Sequence, residues 1–370
     1  MKKIFINGLY VFNIGLPSGI FFFLLISGKE SFANQINLLF SVVLFFTASL
    51  SSYHRQIFLS ENNISYCANI ILSRLKFFPF IFIFALIIAT YFLSIDNYFL
   101  ICSIIILLFS TWLVEIFLSI DEILEKKFFF FQYVLNFING VCLLFFIFFV
   151  DQYYLPYFFT YLAISYFYIN IYDKKIIIKK IKIYNVKKDY LGYISSIIVN
   201  LVLLANKIII NHYFDSYSVS LVFLSFIIVS FFNTIVANSF GPYLFSSIIK
   251  IKQLLLCIFL YFLIIIIIFV YLILLKKNFL ILNMIAISGI SGIILFISFV
   301  IRQRLLCLRN LRKKVVLLDI MLSLISFVTL NFIINYFKIY IFYFILLTTL
   351  ITFMSYLILF KFNYLILKNK

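Results

Sequence analysis

Apolar runs of about 20 residues recur along the whole of this chain, each ending at a short polar break, and about 20 residues of helix span a bilayer's hydrocarbon core. That repetition leaves few folds open. Inside hydrocarbon every backbone N–H and C=O must find a partner within the protein, so the runs must be helices. Of the 370 residues, 66% are hydrophobic and 11% charged, with a mean hydropathy of +1.20. A water-soluble domain could not cover so much apolar surface, because its own outer shell must be wet. The chain reads as an all-α, polytopic integral membrane protein.

The runs and their breaks predict about 12 transmembrane helices, over 6–27, 35–53, 77–95, 98–118, 129–150, 152–172, 191–210, 217–236, 254–275, 278–300, 315–336 and 339–360. Ile95-DN is a tight hairpin between the third and fourth, and Asp151 splits the fifth from the sixth. Charge fixes the orientation. With the N-terminus inside, 25 of the 30 basic residues fall on inner segments and four (Lys29, Lys276, Lys277 and Lys338) on outer ones, leaving Lys207 within a span. Cytoplasmic loops collect Lys and Arg, so both termini are expected inside. The same placement accounts for the net charge of +18 without nucleic acid, which would require a basic surface outside the bilayer.

The longest basic break, Asp173-KKIIIKKIKIYNVKKDY, divides the chain into an N-terminal lobe, 1–173, a cytoplasmic linker, 174–190, and a C-terminal lobe, 191–370. Six helices in each give the lobes the same orientation, as in parallel-repeat transporters. Each half also carries a semi-polar stretch before its third helix, Ser52-YHRQIFLSENNISYCANIILSRLK and Asn238-SFGPYLFSSIIKIKQ. In the first, Ile64, Ala68, Ile71 and Leu75 share a helical face, which predicts an interfacial helix.

Little in the chain suggests catalysis. Cys67, Cys102, Cys142, Cys257 and Cys307 have no CxxC spacing and read as free thiols. His54 and His212 lack a second ligand at metal spacing, and His54 beside Arg55 reads as an interfacial pair. No phosphate loop or nucleophile elbow occurs, and no cofactor is implied. The longest outer loops, Gly28-KESFAN and Asn211-HYFDS, leave no room for a folded outer domain. Met1-KKIF leads into the first helix without a cleavage site, so that helix is expected to serve as an uncleaved insertion signal.

Polar groups inside spans are therefore the candidates. A charge at the bilayer centre costs roughly 2.5–3.5 kcal/mol on insertion scales. Lys207 stands about four residues from the expected outer end of the seventh helix, roughly 5–6 Å at helical rise. Either its stem snorkels to the interface or its amine faces a polar interior shared with Asn206 and Asn200. Glu115 and Asp319, near inner helix ends, are candidates for coupling to H⁺ or Na⁺, with a structural ion pair as the alternative; basic loop residues such as Lys314 could neutralise Asp319. Gly15-LPSG sets Gly15, Pro17 and Gly19 mid-span, where a kink, static or hinged, is expected. Asn136, Asn139 and Gly140, and Ser288-GISG, read as close helix contacts.

The stretch Asn206-KIIINHYFDSYSVSLVFLSFIIVSFFNTIVANSFGPYLF resembles the seventh and eighth helices of bacterial polysaccharide flippases. These are the O-antigen and capsule-unit exporters of the multidrug/oligosaccharidyl-lipid/polysaccharide superfamily. In them an acidic residue precedes an Arg or Lys; here Asn206 takes the acid's place and Lys207 matches the cation. Ser216-YSVS holds the loop-to-helix position without the family's usual glycine. The resemblance implies a MATE-like pair of six-helix lobes in a bacterial inner membrane. It implies a lipid-linked oligosaccharide as substrate, H⁺ or Na⁺ as coupling ion, and membrane lipids, a polysaccharide polymerase and a chain-length regulator as partners. Two rivals stand beside it: a polymerase or other multi-span membrane transferase, disfavoured by short outer loops without Arg, and a small-molecule exporter of the same fold.

Overall fold

The computed structural model describes residues 16, 18–25, 27–51, 64–92, 97–124, 129–171, 190–239, 266, 279–307, 311–336 and 341–368. All regular structure among them is helical. Ten helices are described along their length: α1 (Glu30–Ser51), α2 (Ile64–Ile87), α3 (Tyr98–Leu124), α4 (Phe129–Phe149), α5 (Leu155–Ile171), α6 (Tyr190–Tyr213), α7 (Ser216–Ser239), α8 (Phe279–Cys307), α9 (Arg312–Tyr336) and α10 (Ile341–Lys368). They stand at ten of the twelve expected spans. The first expected span is helical at 16 and 18–25, and the ninth lies outside the described residues except for Ile266. The molecule is an all-α, multi-pass membrane protein; by length and composition, five described segments suffice to cross a bilayer. The linker expected over 174–190 lies outside the described residues apart from Tyr190, as do His54 and most of the semi-polar stretch at 238–253.

Packing divides the chain into two compact units, Met1–Leu204 and Ala205–Lys370, with the boundary inside α6. In the first unit α3 is the central helix, lying against α1, α2 and α5, while α4 leans on α5. In the second, α8 is central and meets α7, α9 and α10. Met284 and Ile285 of α8 are buried against Leu221 of α7, with Leu224 and Ile228 at the margin. Ser288 and Ser291 of the small-residue run are also buried, the Ser288 hydroxyl donating to the Met284 carbonyl at 2.7 Å. The same economy holds at Asn136, fully buried, whose carbonyl accepts the Tyr166 hydroxyl at 3.3 Å and so ties α4 to α5.

One expectation fails in an informative way. The interfacial helix and the third span are continuous: α2 starts at Ile64 and passes through Pro79 before ending in a π-turn, Ile88–Phe92. Proline removes one helical hydrogen bond, but neighbouring helices can hold the segment in line. Asn97 then caps α3, its side-chain oxygen accepting the Leu100 N–H at 3.0 Å.

Local chemistry sets the turns. Gly28 has φ 76° and closes the first span in a Schellman motif, with Lys29 N–H donating to Leu24 O at 3.1 Å and Gly28 N–H to Leu25 O at 3.0 Å. The Lys29 ammonium then donates to the Ile147 and Val150 carbonyls, at 3.1 and 2.7 Å, at the C-terminus of α4. A cation there meets the negative end of the helix dipole. It also places the 28–29 turn and the 150–152 turn on one face, as the alternation of spans requires. Gly28→Ala is expected to lower stability by about 1–2 kcal/mol through its left-handed backbone, although open space surrounds the position. Thermal unfolding in detergent would read this directly, and an unchanged midpoint would refute it.

Asp215 caps α7 with two bonds, accepting the Ser218 hydroxyl at 2.7 Å and the Ser218 N–H at 3.1 Å. The Ser218 hydroxyl, then its N–H, holds the Asp215 carboxyl below its ordinary value. A depressed carboxylate stabilises the fold above its unfolded value and loses that contribution as pH falls through the folded one. Acidification below about pH 4 should therefore loosen the start of α7. Asp215→Asn keeps a capping oxygen and should abolish this acid dependence, measured by hydrogen exchange at residues 216–219.

Candidate functional site

Asp319 lies at the centre of the second unit's polar interior. It sits two turns into α9 and is 8% exposed, where α8 and α10 converge on it. Arg302 of α8 grips it with three contacts: Nε to Oδ1 and to Oδ2, both 3.1 Å, and Nη2 to Oδ2 at 2.6 Å. The Tyr356 hydroxyl of α10 donates to Oδ1. Three helices thus meet on one carboxylate. A forked guanidinium plus a phenol matches the lone pairs of a carboxylate, which is how a buried charge becomes tolerable.

This corrects the expected partner. Lys314, offered from sequence as a possible neutraliser, is exposed in the first turn of α9, and Arg302 takes that place. Arg302 was assigned to an inner loop because the tenth span was ended at residue 300. In fact α8 runs on to Cys307. The apolar Leu305 and Leu306, both buried, are the sequence signal that the helix continues past the arginine.

Lys207 is deeper than expected. α6 continues to Tyr213, which puts Lys207 six residues from its end, about 9 Å at helical rise. Its side chain is half-buried, and Nζ lies 5.7 Å from the ring centroid of Phe223, a fully buried residue of α7. That is cation–π range, worth about 0.5–2 kcal/mol by degree of desolvation. Asn206, 3% exposed, turns instead to α9 and donates to the Ser326 hydroxyl at 3.4 Å. Its Oδ1 is buried with no hydrogen-bond partner among the described residues. Asn200 spends its amide locally, donating to the Ser196 carbonyl at 2.7 Å and to its hydroxyl at 3.3 Å. At 100° per residue Asn200 and Lys207 share one face of α6, while Asn206 lies on another. Of the three residues grouped by sequence, Asn206 therefore turns away from the other two.

The remaining candidates are placed less fully. Glu115 is on α3, but its side chain is outside the described residues. Gly15 and Pro17 also fall outside; at Gly19 a Cβ would stand 3.4 Å from both methyls of Leu144 on α4, so the missing side chain admits a close contact. Sequence reading missed a buried cation in the first unit. Arg74, 3% exposed on α2, donates to the Trp112 carbonyl and stacks on its ring, 4.4 Å from the centroid. Its place in a semi-polar stretch made it look like a loop residue. Among the described residues no group of His, Cys, Asp and Glu could hold a metal ion.

No protein-family model matches the chain, and no curated protein matches it. One solved structure is similar over 100% of this chain and 97% of its own, with a TM-score of 0.67 at 11% identity. It is described as the outward-facing conformation of a multidrug resistance MATE family transporter of the MOP superfamily. At that identity the likeness speaks for architecture alone, and on it this protein has the two-lobed helical fold of a MATE transporter.

Proposed function

We propose that the protein is a flippase that carries polyprenyl-diphosphate-linked oligosaccharide units from the inner to the outer leaflet of a bacterial inner membrane. The observation that carries this reading is Lys207: a lysine whose backbone lies about 9 Å below its helix end, with its ammonium beside the buried Phe223, in a span where hydrocarbon would reject a charge. A fixed cation at that depth suits an anionic diphosphate or sugar acid. The likeness of residues 206–245 to polysaccharide flippases supports the same reading. In this mechanism the lobes at 1–173 and 191–370 rock to alternate access, with Gly15, Pro17 and Gly19 as the hinge. Asn206 and Asn200 supply further polar contacts, and Glu115 or Asp319 couples the movement to H⁺ or Na⁺. The polymerase and chain-length regulator would act on the delivered units.

The fold comparison favours a second reading as strongly, since the similar structure is a multidrug resistance transporter. Reconstituted vesicles separate the two. Lipid-linked sugar that becomes accessible to an external glycosidase only with the protein present would support the flippase. Efflux of a cationic dye with no movement of the lipid-linked sugar would establish the drug exporter. New glycosidic bonds formed in the vesicle would instead reveal a transferase.

A further inference from the structure

A cleft of about 470 Å³ opens between α4 and α5 in the first unit, lined by Asn139, Cys142 and Phe146 on one side and Tyr157, Phe158 and Tyr161 on the other. Asn139 stands midway along α4 and Tyr161 in the second turn of α5, so the cleft covers the half of the span nearer the 150–152 turn. By the charge distribution this is the outer half. The same two helices expose apolar side chains beside these positions: Ile138, Val141, Phe145, Phe149 and Ile164 are all exposed. A water-filled passage would not be edged this way, so the cleft faces hydrocarbon.

Polar atoms nevertheless line it. Tyr161 is 65% exposed, and among the described residues neither its hydroxyl nor the Asn139 amide has a hydrogen-bond partner. Donors at bilayer depth without partners are costly, so the occupant should offer acceptors. The volume falls in the range of ligand pockets, about 300–1,000 Å³, and is far below that of a membrane-spanning helix about 10–12 Å across and about 30 Å long. A saturated acyl chain fits the space and leaves the donors unmet. A chain segment with regularly spaced double bonds presents π-faces to O–H and N–H groups, while the Phe146 and Phe158 rings, stacked at 5.1 Å, join the two helices at their level.

We infer that the α4–α5 cleft is a seat for a polyisoprenyl chain, holding the lipid carrier by its tail in the outer half of the membrane. The inference rests on the flippase reading for its biological ligand, and it adds a residue set that the reading does not use. A headgroup-free probe tests it separately. Purified protein is equilibrated with a C55 polyprenol or its fully hydrogenated analogue, and bound lipid is counted by native mass spectrometry against a phosphatidylglycerol competitor.

Cys142→Trp, which fills the cleft from an exposed position, should cut polyprenol occupancy at least tenfold, with the melting midpoint in detergent as the folding control. Asn139→Leu and Tyr161→Phe should each lower the preference for the unsaturated chain about two- to fourfold, as weak π-directed bonds predict. Equal binding of polyprenol and its hydrogenated analogue, or binding indifferent to Cys142→Trp, would overturn the seat and leave ordinary annular lipid. Polyprenol binding without sugar translocation would instead keep the seat and remove the flippase reading.

Discussion

Arg302→Met is expected to destabilise the second unit by about 3–5 kcal/mol, the usual cost of leaving a buried charge without its partner. Asp319 is 8% exposed and takes three of its contacts from this one guanidinium; among the described residues its other partner is Tyr356, which can donate a single hydrogen bond. Asp319→Leu should cost less, because Arg302 is 20% exposed and keeps its other contacts. The double variant should recover most of the loss, because a buried pair exchanged for apolar groups of similar volume is often neutral. Detergent melts of the four proteins close the cycle. A single variant no less stable than the parent would show that the pair is not bearing on the fold. A double variant that is stable yet cannot transport would place Asp319 among the coupling groups.

The second large effect concerns Lys207. Lys207→Met should leave the fold within about 1 kcal/mol of the parent, since only a cation–π contact and a half-buried charge are exchanged for apolar volume. Transport of an anionic lipid-linked substrate should fall tenfold or more, the loss of about 1.5–3 kcal/mol in charge-assisted contact. Lys207→Arg should restore much of it. Full activity in the methionine variant would mean that the amine serves placement of α6 and not the cargo.

Much of the architecture was written in one dimension. The helical class and the approximate positions of the described spans follow from hydropathy along the chain, because hydrocarbon admits only helices of set length. The anomaly of Lys207 was visible for the same reason. What hydropathy cannot convey is azimuth. Asn206 and Lys207 are adjacent in sequence, yet 100° of helix turns one toward Ser326 and the other toward Phe223.

Helix length beyond the hydrocarbon was equally obscure. α8 keeps its register past Arg302, and only that extra turn carries the guanidinium to Asp319. The cleft between α4 and α5 likewise depends on how two helices diverge from a shared neighbour, which no residue of either encodes alone. The sequence by itself determined that this is a many-spanned helical protein with its basic loops on one side, because solvent partition acts on each segment separately. Only the tertiary structure decided which charges meet, since pairing across helices depends on rotation, depth and crossing together.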